Sequence, residues 1–350
     1  MTSKKNHELP LDKFINLSLY DKKFGYYMKK KKFGIKGDFI TAPNISRLFS
    51  EIIAIWVLSF WKSLGSPKKF NLIELGAGNG EMMKTIIESF QNFPDLLNSC
   101  NFIIFEKSPS LMHIQKKKLI KNRIIWVSKI NKINKDPSIF IANEFFDAIA
   151  IKQYKKKENL WFEKFVNLKK KDKAFFFEKK IDIKKIEKKI NFKISKNQTF
   201  IEYSELGLNY LKNISEIIKR NTGGLLLIDY GYTEKKMKNT LQAISNHKFA
   251  NILENIGNVD ITHNINFDLF KKFTKQVCGV DSDLTTQRNF LIKMGIEQRA
   301  EIISKNQSFL KKADVYYRLK RLIEKKQMGS LFKVMLIKNS KNKFKLGFKN

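Results

Sequence analysis

The chain has 350 residues and a formal net charge of +35, enough length to bury a sizeable core as one catalytic domain with insertions. Only seven of its 68 basic residues are Arg, and the Lys runs at 29–32, 116–118, 155–157 and 169–171 are spread along the chain, the pattern of a solvated surface and of codon drift in an AT-rich genome. Cys100 and Cys278 exclude a disulfide framework, no Cys or His stands at metal-ligand spacing, and no apolar run approaches the roughly 20 residues of a membrane span.

The first ten residues lack the apolar core of a signal peptide, so a cytoplasmic bacterial location is expected. Residues 11–28 and 45–62 read as helices, the second with Leu48, Phe49, Ile52, Ile53, Trp56 and Phe60 on one broad apolar face. Between them lies a turn-rich loop at 37–43, with Asn44 or Ser46 available as the N-cap of the helix that follows.

Residues 70–75 form a short apolar run that carries Glu74 and leads into Gly76, Gly78 and Gly80. Glycine at every second position marks backbone that turns tightly and lies against a ligand, and the residues from Glu81 to Phe90 carry apolar side chains at helical spacing. A structural tight turn and an adenosine site are both compatible with this unit. A second apolar run at 102–106 ends in Glu106, where a doubly wound sheet places an acid against ribose hydroxyls. That acid suits NAD as well as S-adenosylmethionine. Glu74 favours the methyl donor, whose cationic methionine end a carboxylate offsets and which has no pyrophosphate to seat on the helix.

Strand signals at 124–127 and 139–143 continue the alternation with helices that defines an α/β doubly wound, mostly parallel sheet. At the end of the fourth signal stand Asn143, Glu144, Phe145, Phe146 and Asp147. Methyl transfer from an activated donor needs a nucleophile held in line and its proton managed. For guanidinium, whose pKa exceeds about 12, carboxylates must orient the group, and Glu144 and Asp147 are the catalytic candidates. Helix capping by Asn143 and Asp147 is the structural alternative. None of the four His residues pairs with a nucleophilic Ser or Cys in a recognisable motif, which leaves triad hydrolysis unsupported.

After Asp147 the rhythm changes to clustered aromatic and Lys residues, and 150–205 reads as an antiparallel insertion. A helix near 205–220 and a buried strand at 223–231 resume the alternation, with 273–280 and 331–338 expected as the last strands, an antiparallel final pair. Three regions follow: an N-terminal helical extension with a lid loop at 1–65, a cofactor-binding domain at 66–149 and 206–350, and the insertion at 150–205 as substrate region.

With these elements in place, the chain resembles the MidA-type methyltransferases, the family that includes the mitochondrial complex I assembly methyltransferase acting on a protein arginine. The resemblance runs through residues 37–43 (Gly-Asp-Phe-Ile-Thr-Ala-Pro), 74–80, 143–148 (Asn-Glu-Phe-Phe-Asp-Ala), 228–232 (Ile-Asp-Tyr-Gly-Tyr), 240–243, 260–262, 290–296 and 328–334. It implies a class I S-adenosylmethionine methyltransferase fold, with Gly76, Gly78 and Gly80 around the cofactor and Glu106 on its ribose. It also implies that 37–43 covers the cofactor, with Thr41 a candidate contact, and Asn143 is a further cofactor-binding candidate. An arginine-bearing protein, a respiratory complex I subunit by resemblance, is the implied partner, no nucleic acid is expected, and a homodimer is compatible with the family. The alternatives are an RNA or small-molecule methyltransferase, or a partner-binding assembly factor whose catalysis is dispensable. Asn44 departs from the family's usual Glu, Ala77 from its frequent Pro, and Asn264 and Asn266 from the His and Asp of bacterial relatives, so neither His263 nor Asn264 is assigned as a base.

Overall fold

The computed structural model describes residues 8–29, 41–120, 122–168, 174–245 and 248–348. Strand β1 (Glu8–Pro10) leads into a helix at Leu11–Tyr20 that buries Leu11, Phe14, Ile15 and Leu19. The helix expected over 11–28 stops at Tyr20. The Asp21 side chain accepts the N–H groups of Lys23 and Phe24 at 2.8 and 3.2 Å, a local turn that competes with helix continuation, and only a single 3-10 turn at Tyr26–Met28 follows. The long apolar helix is Arg47–Ser63, and Ser46 caps it by accepting the Leu48 N–H.

Four parallel strands come next: β2 (Phe70–Leu75), β3 (Cys100–Phe105), β4 (Ile124–Val127) and β5 (Ser138–Asn143). Residues 152–203 form an antiparallel set, β6 (Lys152–Lys157), β7 (Leu160–Asn167), β8 (Phe175–Ile181) and β9 (Phe200–Tyr203), to which β1 adds through β7. The helix Glu205–Asn221 then returns the chain to the central sheet at β10 (Gly223–Tyr232), buried along its whole length. A small antiparallel sheet holds β11 (Gln242–Ser245), β12 (Lys248–Ala250) and β13 (Asp260–Thr262), and β14 (Ile265–Asn266) pairs with the end of β10. The chain closes with β15 (Asp281–Thr286) and β16 (Phe332–Lys338).

The central sheet has the order β15-β16-β10-β5-β2-β3-β4, and β16 is antiparallel to both of its neighbours while the other pairs on this path are parallel. Residues 273–280, expected as a strand, continue the helix Phe267–Phe273 into a π turn at Thr274–Cys278. Phe273, Val277 and Val280 follow helical spacing, and Phe273 and Val280 pack in the core beneath the helix Glu205–Asn221. The strand itself is the polar stretch Asp-Ser-Asp-Leu-Thr-Thr, tolerated because β15 is an edge with only β16 beside it.

Two cores cover the sheet, one gathered on the helices Arg47–Ser63 and Glu81–Phe90, the other on Glu205–Asn221 and Phe267–Phe273. A third, smaller core joins the N-terminal helix to β13 through Leu11, Phe14, Leu19, Tyr26, Val259 and Ile261. No helix among the described residues is long and apolar enough to cross a membrane. Strand order reverses between β2 and β5, and a parallel sheet opens a ligand crevice beyond the C-terminal ends of the strands at such a reversal.

Candidate active site

Beyond the ends of β2 and β5 lies a cavity of about 720 Å³. Its first wall is the turn after β2. Gly76 and Gly78 have φ of +67° and +52°, which L side chains rarely adopt. A Cβ on Gly76 would stand 2.9 Å from Phe145 Cδ2, whereas a Cβ on Gly78 would meet nothing within 4 Å, since that residue faces the open cavity. Gly80 does not line the cavity: it takes the left-handed N-cap position of the helix Glu81–Phe90, with Leu119 and Gln115 beside it.

The turn is tied on both sides. Asn79 accepts the Glu81 N–H at 3.2 Å and donates to Asn44 Oδ1 at 2.9 Å, and Asn44 donates to Thr41 Oγ1 at 2.8 Å. Thr41 lines the cavity, but residues 37–40 of the expected cover lie outside the described residues. On the other side, Gln115 Nε2 donates to Gly78 O at 2.9 Å and to Glu106 Oε2 at 3.0 Å, with its own oxygen held by Trp126 Nε1. Glu106 Oε1 takes the N–H groups of Lys107 and Ser108 at 2.9 and 2.8 Å. Burial raises its pKa against those donors, which take both lone pairs of Oε1 and one of Oε2 and leave one on Oε2 for a hydroxyl in the cavity.

Glu74 is buried in β2 with Oε2 unpartnered, and burial pushes its pKa up to about 8, with the charge of Glu106 adding to the rise. A buried carboxyl oxygen left without a partner marks a place that a cationic or hydrogen-bond-donating ligand completes.

The second wall follows β5. Asn143 ends the strand with Oδ1 unpartnered, and its Nδ2 donates to Glu144 Oε1 at 3.2 Å. Glu144 has φ +49°, a strained conformation for a non-glycine residue, held by its N–H bond to Ile228 O and by Asp229 behind it. Asp229 Oδ2 accepts the N–H groups of Phe146 and Asp147 at 3.1 and 3.2 Å, and Oδ1 accepts that of Tyr230. Burial, with the charge of Asp147, pushes the Glu144 pKa up to about 8, and burial also raises Asp147. Asp147 Oδ2 accepts the Tyr230 hydroxyl at 2.6 Å, while its Oδ1 is buried without a partner. His263 lies behind this wall, its ring nitrogens 3.2 and 3.4 Å from the carbonyls of Ile149 and Asn264.

Thr41, Glu74, Gly76, Gly78, Glu106, Asn143, Glu144 and Asp147 therefore share one cavity, together with residues that sequence reasoning passed over: Tyr20, Tyr27, Asp260 and Thr262 on its rim, with Gln115 and Asp229 bracing its walls. Among the described residues, Glu74, Glu81, Glu106, Glu144, Asp147 and Asp260 line it with Lys22 and Lys107. Among the described residues no group of His, Cys, Asp and Glu is arranged to hold a metal ion.

Seven strands in this order, with the antiparallel one inserted next to the edge and a glycine turn after the first, make the protein a class I S-adenosylmethionine-dependent methyltransferase. The chain belongs to the family of S-adenosyl-L-methionine-dependent methyltransferases whose model matches residues 52–286, and within it to the MidA type. The zebrafish (Danio rerio) mitochondrial protein arginine methyltransferase NDUFAF7 is 27% identical over 341 residues, covering 90% of this chain and 80% of the relative. The Caenorhabditis elegans homolog is 30% identical over 298 residues, covering 79% and 70%, and the human protein 26% over 316 residues, covering 80% and 68%. A Burkholderia thailandensis protein crystallised with S-adenosyl-homocysteine has the same fold, with a TM-score of 0.79 at 21% identity over 98% of this chain and 89% of that one. S-adenosylmethionine is the cofactor. The residues present suit that group: Glu74, with an unpartnered oxygen, would offset its cationic methionine end, the open face of Gly78 leaves room for it against the turn, and the braced Glu106 carboxylate would accept from a ribose hydroxyl.

Proposed function

We propose that this methyltransferase modifies a guanidinium nitrogen of an arginine on a partner protein. The observation that carries the reading is the carboxyl cluster at the acceptor end: among the described residues Glu144, Asp147 and Asp260 line it in a chain whose net charge is +35, and a docked cation favours their ionised forms against the charge of the whole surface. A polyanion such as RNA meets the opposite field there. The names of the zebrafish, nematode and human relatives support the same acceptor. The family resemblance points to a respiratory complex I subunit as the protein that carries the arginine.

Bound S-adenosylmethionine supplies a methyl group already activated on a sulfonium. The remaining work falls to the residues after β5. Burial favours the neutral forms of Glu144 and Asp147 and a docked guanidinium opposes it, so both ionise as they orient the guanidinium and hold its positive charge. When the nitrogen gains its new N–C bond it must lose one N–H proton, and Glu144, with Oε1 fixed by Asn143 and the Ala42 N–H, is the group that takes it. Tyr230 keeps Asp147 turned inward.

Incubation with methyl-labelled cofactor and a cell lysate, followed by complete hydrolysis, tests this. Label is expected in methylated arginine. Label in RNA or in another amino acid, with S-adenosylhomocysteine binding intact, would overturn the arginine reading and leave the cofactor assignment standing.

A further inference from the structure

Glu74 and Glu106 serve the cofactor turn, and Glu144 and Asp147 the methyl acceptor; a further buried carboxylate, Asp260, lines the same cavity. Asp260 is the first residue of β13, on the small sheet outside the central one, and it is only 6% exposed. It accepts the Tyr27 hydroxyl at 2.9 Å. The Tyr27 ring is stacked on Tyr20 with centroids 5.4 Å apart, and the Tyr20 hydroxyl donates to Ala148 O at 3.3 Å, one residue beyond Asp147. This rim is fixed by its own core, in which Leu19 and Tyr26 from the N-terminal segment pack with Val259 and Ile261 around β13. The second observation is on the turn after β5: Asp147, also 6% exposed, lines the same cavity and its Oδ1 is buried without a partner.

We propose that Asp260, oriented by Tyr27, is a specificity determinant of the acceptor end that recognises the guanidinium charge together with Asp147. The inference rests on the arginine reading above. A planar guanidinium presents several N–H donors along different edges, so carboxylates arriving from two separate elements, the turn after β5 and the start of β13, engage it in a way that a lysine ammonium or a neutral amide does not reproduce. The tyrosine hydroxyl occupies one Asp260 oxygen and fixes the plane of the carboxylate. The N-terminal segment thus takes part in choosing the acceptor, although it contributes nothing to the central sheet.

The test uses the full chain loaded with S-adenosylhomocysteine and two probes, Nα-acetyl-arginine amide and the neutral isostere Nα-acetyl-citrulline amide, titrated by calorimetry. The wild type is expected to prefer the arginine probe, and Asp260→Asn to lose about tenfold in its affinity while S-adenosylhomocysteine binding stays within about twofold. Tyr27→Phe leaves the carboxylate in place but unaligned, so it should weaken the arginine probe by a smaller factor and raise KM more than it lowers kcat, and it decides the matter if Asp260→Asn does not fold. Arginine binding unchanged in the variants, or a parallel loss of cofactor affinity, would overturn the role of Asp260. A wild type that does not distinguish the two probes would overturn the arginine reading as well.

Discussion

Tyr230 donates its hydroxyl to Asp147 Oδ2 across 2.6 Å, linking the end of β10 to the turn after β5, 83 residues earlier. Burial, with the charges of Asp147 and Asp229, raises the Tyr230 pKa well above its usual value, so the group remains a donor. Tyr230→Phe removes the hydroxyl's hydrogen bond to that oxygen and should cost about 1–2 kcal/mol of stability, read as a lowered thermal midpoint. Methyl transfer should fall by roughly tenfold or more, because Asp147 loses its orientation, while S-adenosylhomocysteine affinity stays near the wild-type value.

Glu74 and Glu144 both have native pKa values near 8, against 4.5 in the unfolded chain. A carboxyl raised in the native state holds a proton that the unfolded chain has already released, so between about pH 4.5 and 8 stability declines as pH rises, and above about 8 this contribution levels off. Glu74→Gln and Glu144→Gln should each make that decline shallower, as measured by denaturant unfolding from pH 5 to 8.5. A cation docking beside Glu74 favours the ionised form. Binding of S-adenosylmethionine should therefore release protons near pH 7 and tighten toward pH 8, which titration in two buffers of different ionisation enthalpy detects.

Asp229 is fully buried and its two oxygens accept three backbone N–H groups, from Phe146, Asp147 and Tyr230. Asp229→Ala strands those donors inside the protein and should cost about 3 kcal/mol or more. Because the same bonds hold the strained Glu144 backbone, activity in the surviving folded fraction should fall as well. A variant with wild-type stability and rate would show that the turn after β5 is held by other contacts.

Gln115 joins the glycine turn to Glu106 through one amide, donating to Gly78 O and to Glu106 Oε2. Gln115→Leu keeps the volume and removes both bonds, and it should weaken S-adenosylhomocysteine binding by about tenfold, with thermal stability lowered by about 1–3 kcal/mol for the acceptors left buried. Equal loss for a ligand lacking the ribose hydroxyls would place the effect on the turn, and a smaller loss would place it on Glu106.

Strands β2, β3, β5 and β10 were legible because strands covered on both faces are written as continuous apolar runs, as in Leu225 to Ile228, and the edge strand β4 was legible from its own short apolar run although Ile125 is exposed. The edge strand β15 was not: Asp281 to Thr286 carries no apolar pattern, and the neighbouring residues 273–280 spend theirs on a helix. The glycines and acids of the cofactor wall could be read because a strand, a turn and a helix place them within a few residues of one another. The residues that complete the cavity could not. Asp260 meets Tyr27 from 233 positions away, and Asp229 meets Phe146 from 83. Both acids lie in segments that carry the family resemblance, and their local physical signal was a carboxylate inside a short apolar stretch, Ile228-Asp229-Tyr230 and Val259-Asp260-Ile261, where a charge is costly unless tertiary partners receive it.

The most direct measurement is a calorimetric titration of S-adenosylhomocysteine into the wild type and Gly78→Val, with thermal unfolding run beside it to establish that the variant is folded. Gly78 faces open cavity, so the branched side chain there should occupy the volume that the cofactor fills as well as strain a residue at φ +52°. One site per chain in the wild type and a loss of at least about thirtyfold in the folded variant is the expected result, about 2 kcal/mol by the affinity scale. Undiminished binding by folded Gly78→Val would contradict the placement of the cofactor on the glycine turn.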